Sequence, residues 1–219
     1  MGWRELYRNI TNIIYAGLLW LFTSLLGILL TFGAATTALF RVCFQVYRTK
    51  EPTQVAKRFF RSFKENFWIS TLCWIIIIAI GLPLYMLYNY ALKQNEPFLM
   101  VMVIVSAYEL VMFSLYVFPI IAIFKVKNLW HLFRNTMIMA NQNLWMNIKL
   151  LGSLAAVFLL VIFVHSVFIL LAGGLYGMLI SFHLRKVFAP YLETFSPPVS
   201  EEQEYMYRKE ESSNGLSKF

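Results

Sequence analysis

The feature that most constrains this chain is the absence of charge over long stretches. Residues 9–40, 66–92, 97–124 and 150–184 carry no Lys, Arg, Asp or Glu, apart from Glu109. The hydrocarbon core of a bilayer is about 30 Å thick and takes about 20 apolar residues in a helix. All four stretches reach that length. In lipid the backbone must satisfy its own hydrogen bonds, so stretches of this kind become helices. Only 14% of the 219 residues are charged, against about 25% in a soluble domain. The expected fold class is therefore all-α: a polytopic transmembrane helical bundle.

Two of the stretches do not fit a single span. Residues 150–184 would make a helix of roughly 52 Å, too long for one crossing. Two helices, 145–164 and 168–190, are expected, with a tight turn near His165-Ser166. A turn at Gly173-Gly174 is the alternative, and it would leave the second arm short. Within the last helix Gly173, Gly174 and Gly177 would permit close helix contact. Residues 9–40 are long for one span and short for two. Residues 10–31 make one span; residues 34–48 make a second helix, which either re-crosses as a short span or runs along the inner surface. The count is five clear spans plus a sixth if 34–48 crosses. A secretory signal core has roughly 7–15 apolar residues, so the first stretch is expected to stay as a helix.

Charge sets the orientation. Arg41, Arg48, Lys50, Lys57, Arg58, Arg61 and Lys64 face only Glu51 and Glu65 in the segment 41–65. Lys125, Lys127, Arg134 and Lys149 face no acid in the segment 125–149. Basic loops stay in the cytoplasm, so both segments and the carboxy-terminal tail are expected there, in a multi-pass protein of the plasma membrane. A crossing by 34–48 would bring Arg4 and Arg8 to the same side. The net charge of +8 then reports cytoplasmic loops and an anionic lipid surface rather than nucleic acid. The expected organisation is one membrane domain, 1–192, followed by a Pro-, Ser- and Glu-rich flexible tail, 193–219.

KRFFRSFKENFW, residues 57–68, is the densest basic and aromatic segment. At a period of 3.6, Ala56, Phe59/Phe60, Phe63 and Phe67 share a face, and Lys57, Arg58, Arg61 and Lys64 cover the rest. With Thr53 as N-cap, this predicts an amphipathic helix over 53–67 with phenylalanines in the acyl boundary and cations among head groups. Trp68 would mark the point where the chain turns into the membrane. Packing against the bundle, or docking of a partner, are the competing readings. Asn143-Leu144-Trp145 repeats Asn66-Phe67-Trp68, so 51–126 and 127–192 are expected to be two similar helix-plus-hairpin units after a first helical pair, 1–50.

Few residues could carry chemistry. A carboxylate at the centre of a span costs at least about 2.5–3.5 kcal/mol, so Glu109 should face the interior, be protonated or pair with Arg41 or His165. With Thr36 and Thr37 these form a candidate intramembrane polar site. A catalytic metal needs about three ligands; His131, His165 and His183 lie in separate segments without a carboxylate cluster. Cys43 and Cys73 have no motif spacing and are expected to be small hydrophobes. No nucleotide or nucleophile motif is present. The expectation is no enzyme, no cofactor and no metal.

Trp20, the run Thr31-Phe32-Gly33-Ala34-Ala35-Thr36-Thr37-Ala38-Leu39-Phe40, the basic linker and Phe59-Phe60-x-x-Phe63-Lys64-x-Asn66-Phe67 resemble the YesL family of bacterial membrane proteins over roughly residues 1–192. The chain departs from that pattern at Ile28, where the family often has proline. The resemblance implies no catalytic residues, because the family has no established activity. It implies a link to carbohydrate uptake or its regulation, and ABC-type sugar permease subunits as partners. The alternative expectation is a small secondary transporter using Glu109.

Overall fold

The computed structural model describes residues 3–27, 30–48, 54–124, 126, 128–163 and 169–195. Among them it has seven helices and no strand: α1 (Trp3–Leu26), α2 (Phe32–Arg48), α3 (Val55–Gln94), α4 (Pro97–Ile123), α5 (Leu129–Gln142), α6 (Leu144–Phe163) and α7 (Ile169–Phe195). The all-helical expectation holds. α1, α3, α4 and α6 are long and apolar enough to cross a membrane, which makes this a multi-pass membrane protein. α2 is apolar but shorter. The chain divides into two compact units, Met1–Leu184 and Arg185–Phe219; the described part of the second is the end of α7.

α1 and α2 form a tight hairpin. Thr31 Oγ1 donates to the carbonyls of Thr23 (2.7 Å) and Gly27 (2.9 Å), which closes the turn. The small residues that follow make a smooth face: every residue from Gly33 to Phe40 is buried. At Gly33 an added Cβ would collide with the carbonyl of Ser70, so α2 lies directly on the α3 backbone. Lipid is as apolar as leucine, so this contact is held by close dispersion packing rather than by hydrophobic expulsion. Phe59 and Val55 of α3 fill the far end, against Ala35, Ala38, Leu39, Val42, Cys43 and Val46 of α2 and Ile13 and Ala16 of α1. α7 supports the other side through its glycines. Gly173 abuts the Trp20 ring, and an added Cβ at Gly177 would lie 2.8 Å from Cys43 Sγ.

The structure corrects the reading of KRFFRSFKENFW. No helix ends at Asn66-Phe67-Trp68; α3 runs unbroken for 40 residues from Val55. That is roughly 60 Å, about twice a hydrocarbon core. Nothing at 66–68 breaks a helix: Asn66 folds its Nδ2 back onto the carbonyl of Ser62 at 3.1 Å. The buried stripe is also different. Val55, Phe59 and Ser62 are buried, while Phe60 is 43% exposed. The segment packs against α1 and α2 through Val55 and Phe59. Gln54 holds the N-cap position without a side-chain bond; the expected cap, Thr53, is outside the described residues, as are Lys125, Lys127, the turn at His165-Ser166 and residues 196–219. The second Asn-x-Trp does mark a break. Asn143 has non-helical angles (φ −116, ψ 48), and α5 and α6 meet there.

α3 and α4 are joined by Asn95, left-handed at φ 54, with the Glu96 N–H on the Ala91 carbonyl and Pro97 opening α4. A left-handed Asn closing a helix, then proline starting the next, is a short hairpin signal. Burial along it is uneven. In α3 the buried residues run from Val55 to Ile77, plus Ala91; in α4 they run from Met112 to Ala122, plus Val103. The part of the hairpin around the turn exposes Leu82, Tyr85, Met86, Phe98, Val101 and Ile104.

Candidate functional site

The polar residues singled out by sequence do not converge. Thr36 accepts from Trp20 Nε1 (3.1 Å) and donates to the Phe32 carbonyl (2.7 Å). Thr37 shares a 2.8 Å bond with Ser70 Oγ, both fully buried. They are one residue apart in sequence and fasten α2 to different helices, α1 and α3. Arg41 is exposed, and its Nη1 donates to the Ala122 carbonyl at 2.7 Å. That ties α2 to the C-terminal end of α4, where unsatisfied carbonyls favour a cation.

Glu109 is on the same helix α4, roughly 20 Å along the axis from Ala122. The expected pairing of Glu109 with Arg41 is therefore not formed. Its Oε2 accepts from Asn141 Nδ2 of α5, at 3.4 Å on an exposed flank. His165 lies outside the described residues. Of the basic stretch, Lys57, Arg61 and Lys64 are exposed, Arg58 and Phe63 are half-buried, and Arg61 pairs with Glu65 at 3.0 Å. Phe67 is half-buried, edge-on to the exposed Trp68. Cys43 and Cys73 are buried and free.

A polar junction appears where sequence reasoning placed none. Asn147, at 1% exposure, accepts from Tyr116 Oη at 2.8 Å and donates to the Ala140 carbonyl at 2.8 Å; the Tyr108 hydroxyl is 3.4 Å away. Asn147 thus covers a carbonyl at the end of α5 and locks α4 to α6. Its counterpart in the first repeat is Ser70, which faces Thr37 instead. The longer amide can reach back across the break at Asn143, and a serine cannot. The signal available in the sequence was the exchange of Ser70 for Asn147 two residues beyond the Asn-x-Trp repeat.

The described residues also line an open-sided cavity of about 490 Å³. Its wall takes Trp20 from α1, Phe32 and Thr36 from α2, Trp74 from α3 and Phe118 from α4, with further residues from α6 and α7. The Phe32 ring lies 4.4 Å from Trp74 and 5.7 Å from Trp20, centroid to centroid. Size and composition match sites that hold an apolar ligand with few polar contacts. No group of three His, Cys, Asp or Glu that could hold a metal is found among the described residues.

Comparison with known proteins ends on the same segment. Residues 13–88 match the family described as "Protein of unknown function, DUF624". Over 120 residues the chain is 29% identical to "Uncharacterized protein YesL" of Bacillus subtilis (strain 168), which covers 54% of this chain and 57% of the relative. The chain thus aligns with little more than half of that relative's length. No solved structure matches it. From residue 13 of α1 through α2 and most of α3, this chain is similar to a family whose function is unknown.

Proposed function

We propose that this is a non-enzymatic plasma-membrane protein of bacteria, accessory to carbohydrate uptake or its regulation, that works by binding ABC-type sugar permease subunits laterally. One observation carries the proposal: the α3–α4 hairpin around Asn95 is apolar on its exposed flank and lacks the cover that the other helices give its opposite end. Helix faces of this kind accept another helix as readily as lipid, because association in a bilayer rests on shape rather than on expulsion from water. Dispersed polar groups that do not converge argue against a catalytic constellation. In this reading α7 crosses as a fifth span and α2 as a short sixth, both termini are cytoplasmic, and Lys57, Arg61 and Lys64 face anionic head groups at about 1 kcal/mol each. Co-purification in mild detergent tests it. Permease subunits should accompany the tagged chain and be lost when Ala79→Trp and Val101→Trp reshape the exposed flank. Their absence from the wild-type eluate overturns the reading.

The alternative is a small secondary transporter with Glu109 in its pathway. Glu109 is half-buried and accepts a long 3.4 Å bond from the exposed Asn141, which gives that reading little support. Glu109→Gln separates the two. An accessory protein keeps a wild-type growth phenotype on the relevant sugar; a transporter coupled through that carboxylate loses it.

A further inference from the structure

The open-sided cavity lined by α1, α2, α3, α4, α6 and α7 has features that point to a specific occupant. Its wall is overwhelmingly apolar. Two of its three hydroxyls are spent: Thr36 bonds Trp20 and Phe32, and Ser114 donates to the Val111 carbonyl at 2.7 Å; Tyr176 carries the third. Trp74 Nε1 has no partner but is closed off from solvent. A sugar or other polar solute would leave its own hydroxyls unpaired there, at about 1–3 kcal/mol for each. Four of the contributing helices are long and apolar enough to cross a bilayer, so the medium outside is hydrocarbon and the natural filler is a hydrocarbon chain.

A cation stands beside this cavity. Arg41 follows Thr36 on α2 by about 7.5 Å of axial rise. Its guanidinium sits on the Ala122 carbonyl, one helical turn from Phe118 on the cavity wall. That bond uses one of five N–H donors, and the exposed side chain keeps the others available. Arg41 is also the first charge after 32 uncharged residues. An apolar slot with a forked cation one turn away is the complement of an anionic amphiphile, with its chain in the slot and its phosphate on the guanidinium.

We infer that this chain holds one anionic lipid as a structural or regulatory ligand, its chain between Trp20, Phe32, Trp74 and Phe118 and its phosphate at Arg41. The phosphate could belong to a phospholipid or to a polyprenyl phosphate carrier; the chemistry recognised is the same. The inference does not depend on the permease reading, and neither experiment decides the other.

Native mass spectrometry of the full chain, released from mild detergent with added lipid, tests it. The probes are phosphatidylglycerol, phosphatidylcholine of the same chains, and undecaprenyl phosphate. One retained phosphatidylglycerol or undecaprenyl phosphate is expected, and the stronger of the two names the source. Arg41→Gln should lower the preference over phosphatidylcholine by about tenfold, and Arg41→Lys by less. Ala172→Trp, which fills the slot, should remove retention of every lipid while helicity by circular dichroism is unchanged. Val161→Phe gives a milder filling should Ala172→Trp fail to fold. A photoreactive acyl chain should label peptides containing Trp20 or Phe118. Equal retention of phosphatidylcholine and phosphatidylglycerol, unchanged retention in a folded filling variant, or labelling confined to the outer flank of α3–α4 overturns the inference.

Discussion

Gly17 and Gly152 are the same residue in opposite situations. A Cβ on Gly17 would meet the Gly174 backbone, 2.5 Å from its nitrogen; a Cβ on Gly152 would meet nothing within 4 Å. Backbone cannot step aside as a flexible side chain can. Gly17→Ala should therefore lower thermal stability in detergent by the overpacking cost of about 1–3 kcal/mol, whereas Gly152→Ala should raise it by up to about 1 kcal/mol. A result of equal size and sign for both would show that α1 and α7 do not touch here. Asn147 makes a second residue-level prediction. Asn147→Leu strands the Tyr116 hydroxyl and leaves the Ala140 carbonyl only the long bond from the Asn143 N–H, and should cost about 1–3 kcal/mol. The Tyr116→Phe/Asn147→Leu cycle should return a coupling of about 0.6–1.7 kcal/mol, the range seen between helices in a bilayer. At this scale the sequence was uneven as a guide. Gly173 and Gly177 were legible as contact residues, because small residues four apart leave a groove. Glu109 was legible as a cost only, since a charge in an apolar run does not say which way it faces. Asn147 was missed, because its partners lie on two other helices.

Helix boundaries were mostly legible. α2, α4, α6 and α7 begin within a few residues of the expected positions, since charge, proline and span length all act locally. α3 was not, and the reason is specific. A basic amphipathic run followed by an apolar run looks like two elements, yet both halves favour helix and no breaker separates them. Phe67→Pro tests the continuity. In an uninterrupted helix it should cost about 3 kcal/mol or more, read as a drop in melting temperature. Proline at Asn143, where the chain is already non-helical, should cost clearly less. Equal tolerance at both positions would restore the hinge at 66–68. The contrast also says how the two repeat units differ: the first keeps its basic segment as a rigid extension of the span, and the second folds α5 back against α4, where Phe133 stacks on Phe113 at 4.9 Å.

For the whole molecule the testable consequence is sidedness. Lys64 and Asn95 lie near opposite ends of α3. Single cysteines at the two positions should react with a membrane-impermeant maleimide from opposite faces of the membrane, Lys64→Cys from the cytoplasm. Cys43 and Cys73 are buried, so their background should be low. Labelling of both sites from one side would refute the crossing. What the sequence by itself determined is of this kind: which segments can cross, and which ends carry the positive charge. Those properties add up residue by residue along the chain, from hydrocarbon thickness and the cost of dehydrating charge. What only the tertiary structure decided is which faces meet. That includes the Phe59 seat in α2, the separate fates of Thr36 and Thr37, the Asn147 lock and the aromatic cavity beside Arg41. In lipid an apolar side chain is nearly as well placed against a fatty chain as against a helix. Hydrophobic pattern therefore carries little information about facing, and shape complementarity between distant segments settles it.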